Sequence, residues 1–139
     1  MTKTLVDTNI LIYSLHKNEG KKHEISSELI SQLIDKNEIA LSIQNLVEFS
    51  RVMSDKSIPS IDKEVIRQNI LEFSVGAYII YYSVNTIGNA LTIAKNYGIH
   101  FFDALLAATM EENFISEIIT ENEKDFKKIP GLKVTNPFK

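Results

Sequence analysis

Cysteine is absent from the 139 residues, which excludes disulfides, thiolate metal sites and thiol nucleophiles. Glycine and proline are sparse, at five and three. The glycines are scattered and Pro59, Pro130 and Pro137 fall in plausible connections, so no linker, repeat or low-complexity tract divides the chain. No apolar run approaches the ~18 residues of a membrane span. A secretory signal is also missing, because Thr2, Lys3 and Thr4 lead into a short apolar run that Asp7 interrupts. The expected location is the cytoplasm, with no membrane partner. Positive charge is not in excess. The net charge of -3 gives no bulk attraction to nucleic acid, and binding one requires bridging cations or a local lysine patch. His16, His23 and His100 are far apart and form no H-x-x-x-H pair, so zinc has little support.

What is present is ordinary for a folded chain: 44% hydrophobic and 24% charged residues, enough for a full core. One domain over residues 1–139 is the parsimonious expectation. Short apolar runs alternate with helical patterns. Lys3 to Val6 reads as a buried strand, and Ile10 to His16 as a helix with Thr8 as N-cap. Lys22 to Lys36 is helical by its isoleucine and leucine spacing. Ile39 to Leu41 is a strand, and Ser42 caps the helix bearing Leu46, Val47, Phe49 and Val52. Asp62 to Phe73 is a helix capped by Ser60 or Asp62. Tyr78 to Val84 is β-branched and aromatic, hence a strand. Thr86 to Asn96 is a helix that Gly98 stops, and Phe102 to Asn113 a helix with Ala104, Ala107 and Ala108 as its small face. Glu117 to Thr120 is a strand, Lys124 to Ile129 a helical turn, and Leu132 to Val134 a last strand. This alternation predicts an α/β fold with a parallel sheet covered on both faces. Such sheets bind ligands outside the carboxyl ends of their strands.

Four acids stand out against that frame. Asp7 directly follows a buried strand, where a helix cap is the bland alternative. Glu48 lies inside an apolar helix, with Asn45, Arg51 and Val52 near it by helical spacing; the alternative is an exposed pair with Arg51. Asp103 interrupts an apolar and small-residue helix, where a charge is costly unless paired or metal-bound, or is an N-terminal carboxylate favoured by the helix dipole. Asp125 follows a strand in a polar loop with Glu121 and Glu123, which read as solvated. One sheet edge can gather these acids, and a cluster of carboxylates calls for a hard divalent cation such as Mg²⁺ or Mn²⁺.

Asp7-Thr8-Asn9-Ile10-Leu11-Ile12-Tyr13 resembles the first motif of PIN-domain nucleases. Ser42 to Phe49 resembles their second motif, Phe102 to Thr109 the third, and Thr120 to Phe126 with the following Ile129-Pro130-Gly131-Leu132 and Asn136-Pro137 the fourth motif and tail. The order is right and nearly the whole chain is covered. The compact size points to the toxin of VapBC-type toxin–antitoxin pairs. The resemblance implies a three-layer α/β/α fold with a short, mostly parallel sheet of about five strands, Mg²⁺- or Mn²⁺-dependent RNA cleavage, a homodimer and a small antitoxin partner. It assigns Asp7, Glu48 and Asp103 as the principal acids. At the fourth position Asn122 stands where Asp or Asn is usual, and Asp125 follows, which leaves one or two metals open. Glu48 or Asp125 would orient or deprotonate the water. Thr8, Asn9, Thr120 and Asn122 are expected to support the acids or touch phosphate, and Lys124, Lys127 and Lys128 to bind RNA.

Rival classes fit less well. A signalling or non-catalytic doubly wound domain with an acidic Mg²⁺ pocket gives Glu48 no role. A D-x-D phosphatase lacks its second acid, because position 9 is Asn. A degenerate PIN scaffold has no need to retain Asp7, Glu48 and Asp103.

Overall fold

A computed structural model describes residues 2–56 and 61–139. The strands are β1 (Thr4–Val6), β2 (Ile39–Ser42), β3 (Tyr78–Ile80), β4 (Glu117–Ile119) and β5 (Lys133–Thr135). They form one sheet in the order β3-β2-β1-β4-β5, with every neighbouring pair parallel. The helices are α1 (Thr8–Leu15), α2 (Lys21–Asp35), α3 (Ile43–Lys56), α4 (Lys63–Gly76), α5 (Val84–Tyr97), α6 (Phe101–Glu112) and α7 (Glu123–Phe126). None of the helices among the described residues is long and apolar enough to cross a membrane.

The layers follow from the two-residue period of the strands. Val6, Ile39, Leu41 and Ile119 point to one face, where Ile10 and Leu11 of α1, Ile30 of α2, Phe49 and Met53 of α3 and Ile66 of α4 cover them. Leu5, Ala40, Ile80 and Ile118 point to the other, against Leu106 and Met110 of α6 and Phe126 of α7. The small residues Ala104 and Ala108 of α6 meet Ala90 of α5 in a third cluster, because alanine lets helix axes approach closely. The result is the three-layer α/β/α fold, with a sheet that is wholly parallel.

Local chemistry moves several boundaries. Asp7, not Thr8, is the N-cap of α1: its carboxylate accepts from the Thr8 amide, and Thr8 is already the first helical residue. Ser42 does cap α3, accepting from the Asn45 amide at 3.0 Å. At α4 the cap is Asp62, while Ser60 and Pro59 lie outside the described residues. The strand expected over Tyr78 to Val84 ends at Ile80, and Val84 opens α5. The cause is a capping box, in which the Thr86 hydroxyl accepts from the Ser83 amide at 2.9 Å; β-branched residues did not outweigh it. A single 3₁₀ turn at Lys17–Glu19 joins α1 to α2.

Candidate active site

β1 lies between β2, to which the chain runs first, and β4, reached later. Neighbouring connections therefore leave in opposite directions beside β1, opening a crevice at its carboxyl end. Asp7 and Thr120, the residues immediately after β1 and β4, meet there: the Thr120 hydroxyl donates to Asp7 Oδ2 at 2.7 Å. Asp7 Oδ1 accepts from the Thr8 amide at 2.8 Å. Burial pushes the Asp7 carboxyl up despite both bonds.

The α3 side of the crevice is held by a buried polar chain. Asn45, fully buried, donates to the Thr8 hydroxyl at 3.1 Å, and that hydroxyl donates to Glu48 Oε1 at 3.1 Å. The Asn45 carbonyl in turn accepts from the Ser42 amide and hydroxyl at 3.0 and 2.9 Å. Glu48 is thus aimed at the crevice by Thr8 rather than at Arg51, and among the described residues the two form no ion pair. Desolvation raises the Glu48 carboxyl, the charge of Asp7 adds to it, and the Thr8 bond and the more distant Arg51 oppose it. Gln44, one turn before Glu48, donates from Nε2 to the Phe102 carbonyl at 2.9 Å. It thereby ties α3 to the start of α6, just before Asp103.

Asp103 stands in the first turn of α6. Burial, a hydrogen bond with Asp125 and the charges of Asp7, Asp125 and Glu48 together push its carboxyl up to about 7. Asn122 donates to Asp103 Oδ2 at 3.4 Å, and the Asn122 amide is held by the Thr120 hydroxyl at 3.0 Å. Asp7, Glu48, Asp103 and Asn122 line one pocket of about 250 Å³, together with Gln44 and Arg51. Thr8 and Asn9 line it too. Among the described residues, no three acidic or histidine side chains already converge on one point at metal-ligand spacing; the pocket is an acidic bowl, not a finished cage.

The expected fourth corner is arranged differently from the other three. Asp125 is absent from the pocket lining. Its carboxylate faces the start of α6, accepting from the His100 amide at 3.3 Å and lying 3.8 Å from Lys128. Burial pushes its carboxyl up, but the bonds from His100 and Asp103 and the charge of Lys128 outweigh this and leave it low. Lys127 is paired with Glu123 at 2.6 Å. Of the three lysines, Lys124 is exposed and makes no ion pair among the described residues. Sequence reasoning did not name Asn45 and Gln44 as site residues and read Arg51 only as a partner for Glu48. The signal was there, because all three lie three or four positions from Glu48 on a helix.

A matching family model decides what this arrangement belongs to: the PIN domain model matches residues 4–132. The chain is a member of the PIN domain family. Solved structures agree with the fold. The chain is similar to one in a toxin–antitoxin complex from Klebsiella pneumoniae, at 25% identity and TM-score 0.70, covering 97% of this chain and 98% of that one. It is similar to one in VapBC2 from Rickettsia felis bound to a promoter DNA fragment, at 26% identity and TM-score 0.70, with coverage of 97% and 98%. VapC20 of Mycobacterium tuberculosis, described as a sarcin-ricin loop cleaving toxin, shares the fold at 11% identity and TM-score 0.68, with coverage of 90% and 94%. A comparison with curated protein sequences finds no match. Within this PIN domain the Asp7–Thr120 contact lies at the β1–β4 crevice, and Glu48 and Asp103 line the pocket beside it.

Proposed function

We propose that this PIN domain, as a single domain over residues 1–139, is a divalent-metal-dependent endoribonuclease that hydrolyses RNA phosphodiester bonds and serves as the toxin of a toxin–antitoxin pair. One observation carries the reading. Asp7, Glu48 and Asp103 line a single pocket at the sheet's carboxyl edge, and among the described residues none of them has an ion-pair partner.

The residues fit a hard cation. All the acidic donors are carboxylate oxygens, the atoms that Mg²⁺ and Mn²⁺ prefer. Their carboxyls are raised by burial and by one another, which is the condition a bound cation relieves. Gln44 Oε1, buried in the same wall, has no hydrogen-bond donor, and the waters that Mg²⁺ retains are donors. Asp7, Glu48 and Asp103 would hold the ion, with Asn122 and Asp125 beside them. When bound, such an ion lowers the pKa of a water and neutralises charge on a phosphate. Glu48 would orient and deprotonate the attacking water, a role supported by its place in the pocket lining, from which Asp125 is absent. Asp125, bonded away to His100, acts on Asp103 instead. Thr8 and Thr120 hold Glu48 and Asp7 in register, Asn9 shapes the rim, and Lys124, Lys127 and Lys128 lie beside the fourth motif where an RNA strand would pass.

The toxin role is supported by likeness to chains of toxin–antitoxin complexes. A small antitoxin and a second copy of the chain are the expected partners, and exposed Val75, Val84 and Phe114 leave apolar surface for them. The expected location is the cytoplasm. The deciding test is incubation of pure protein with RNA. Cleavage is expected in Mg²⁺ or Mn²⁺ and none in chelator; undiminished cleavage in chelator, or none with any divalent ion, overturns the reading.

A further inference from the structure

The basic side chains around the site fall into two groups. Lys22 is engaged with Glu121, Lys127 and Lys139 with Glu123, and Lys128 with Asp125. Arg51 is different. It lines the acidic pocket, it is exposed, and among the described residues it makes neither an ion pair nor a side-chain hydrogen bond. Its natural partner by helical spacing, Glu48, is taken by the Thr8 hydroxyl at 3.1 Å. A guanidinium at the lip of a carboxylate bowl, left without a protein acceptor, has its planar fork of donors available to an incoming anion. That fork matches two phosphate oxygens at once, which an ammonium does not.

We propose that Arg51 is a substrate-positioning residue that grips a phosphate of the RNA strand next to the one being cut, and so sets the register of the strand over Glu48. The inference rests on the ribonuclease reading. It also answers a difficulty of that reading: a chain of net charge -3 whose pocket is acidic repels a polyanion at the place where it must be held. Three residues of α3 separate Glu48 from Arg51, about 4.5 Å along the axis, so a strand lying over Glu48 passes within reach of the longer Arg51 side chain. The residue therefore supplies positive charge within reach of the chemistry while leaving the acids free for a metal. Lys124, the other basic residue of this region without an ion pair, does not line the pocket.

The test uses the full chain and a labelled single-stranded oligoribonucleotide in Mg²⁺ buffer. Binding is read by anisotropy immediately after mixing, and initial cleavage rates are read on the same RNA, both across a salt series. Arg51→Ala is expected to weaken binding about tenfold, in the range of a lost charge-assisted hydrogen bond. It should reduce the slope of log affinity against log salt by about 0.7, one phosphate contact on a single strand, and raise KM more than it lowers kcat. Arg51→Lys should restore the salt slope but only part of the affinity, because charge returns without the fork. If the wild type cleaves RNA and Arg51→Ala has the same affinity and slope, this inference fails and the ribonuclease reading stands. If RNA binds with an Arg51-dependent slope but is not cut, the phosphate contact stands, while the ribonuclease reading and the register role that rests on it both fail. If the wild type neither binds nor cuts RNA, both fail.

Discussion

Six carboxylates gather at the carboxyl edge of the sheet, and the fold treats them in two ways. On the β4–α7 loop, Glu121 is desolvated but held low by the Lys22 and Tyr13 hydrogen bonds. Glu123 is drawn down to about 2, first by Lys127 and then by Asn136. Asp125 is low as well, balanced by His100 and Lys128. A few ångströms away, Asp7, Glu48 and Asp103 are all raised, burial being the first cause in each case. The loop acids bring their own cations, and they pin the end of β4 to α1, α2 and the tail. The bowl acids are given hydroxyl and amide donors instead, which orient a carboxylate without neutralising it. Matched acids are building material; unmatched acids in the same place leave negative charge that no side chain among the described residues neutralises.

The sharpest way to break that contrast is to remove charge from each group. Asp7→Asn and Asp103→Asn are each expected to reduce cleavage by at least about a hundredfold, since metal-held charge stabilises the reaction, and to remove the Tm increase that Mn²⁺ gives the wild type. In chelator their Tm should hold or rise, because Asn caps α1 nearly as well as Asp and a desolvated charge is gone. Thermal melts with and without Mn²⁺ check this; a large loss of Tm in both variants would make the acids structural. Removing a loop acid should do the reverse. Lys22→Ala or Glu121→Gln unties the Tyr13–Glu121–Lys22 cluster, in which Lys22 also lies 5.1 Å from the Tyr13 ring and 5.6 Å from that of Phe138. The expected cost is a loss of a few degrees in Tm, with cleavage changed far less than in Asp7→Asn.

Proton linkage sharpens the comparison further. Asp103, raised to about 7, binds its proton more tightly folded than unfolded. Its stabilising contribution is complete below the ordinary Asp value and is lost as pH rises through about 7. Glu123, lowered to about 2, contributes above the ordinary Glu value and loses that contribution only in strong acid. Chelated wild-type protein should therefore lose Tm between about pH 4 and about pH 7, and Asp103→Asn should flatten that decline. An equal decline in both proteins would place the titrating group elsewhere. The smallest effect is expected from the lysines. Because Glu123 and Asp125 already occupy Lys127 and Lys128, the Lys124/Lys127/Lys128→Ala triple variant should lower RNA affinity and salt slope by less than Arg51→Ala alone. Anisotropy titrations on the two variants side by side rank them.

The layers were legible because buried parallel strands are short apolar runs and each helix carried its own period. Among the described residues, every strand and α-helix has a counterpart in the sequence pattern, displaced by a few residues at most except at β3. There the β-branched stretch concealed a Ser83–Thr86 capping box, a signal of hydrogen-bond geometry and not of composition. Asp7, Glu48 and Asp103 were legible as acids set in apolar surroundings, where an unpaired charge is conspicuous. Their partners were harder to see. Asn45 and Gln44 look like ordinary polar helix residues until the helix is placed beside α1 and α6, and whether Arg51 pairs with Glu48 depends on a Thr8 hydroxyl 40 positions earlier in the chain. Asp125 sits in a motif that matches the family, but its orientation is set by the His100 amide, a contact that no local pattern announces.

The hydrogen bond from Thr120 to Asp7 joins residues 113 positions apart, and this has a consequence for the order of events in a cell. While the chain is being synthesised, β1, α3 and α6 emerge with all three bowl acids, yet the crevice between β1 and β4 does not exist. It closes only when β4, one of the last elements, docks beside β1, a distant contact whose loop-closure cost is met late in folding. On the proposed reading, a catalytic crevice assembled this way is available only after β4 has docked beside β1.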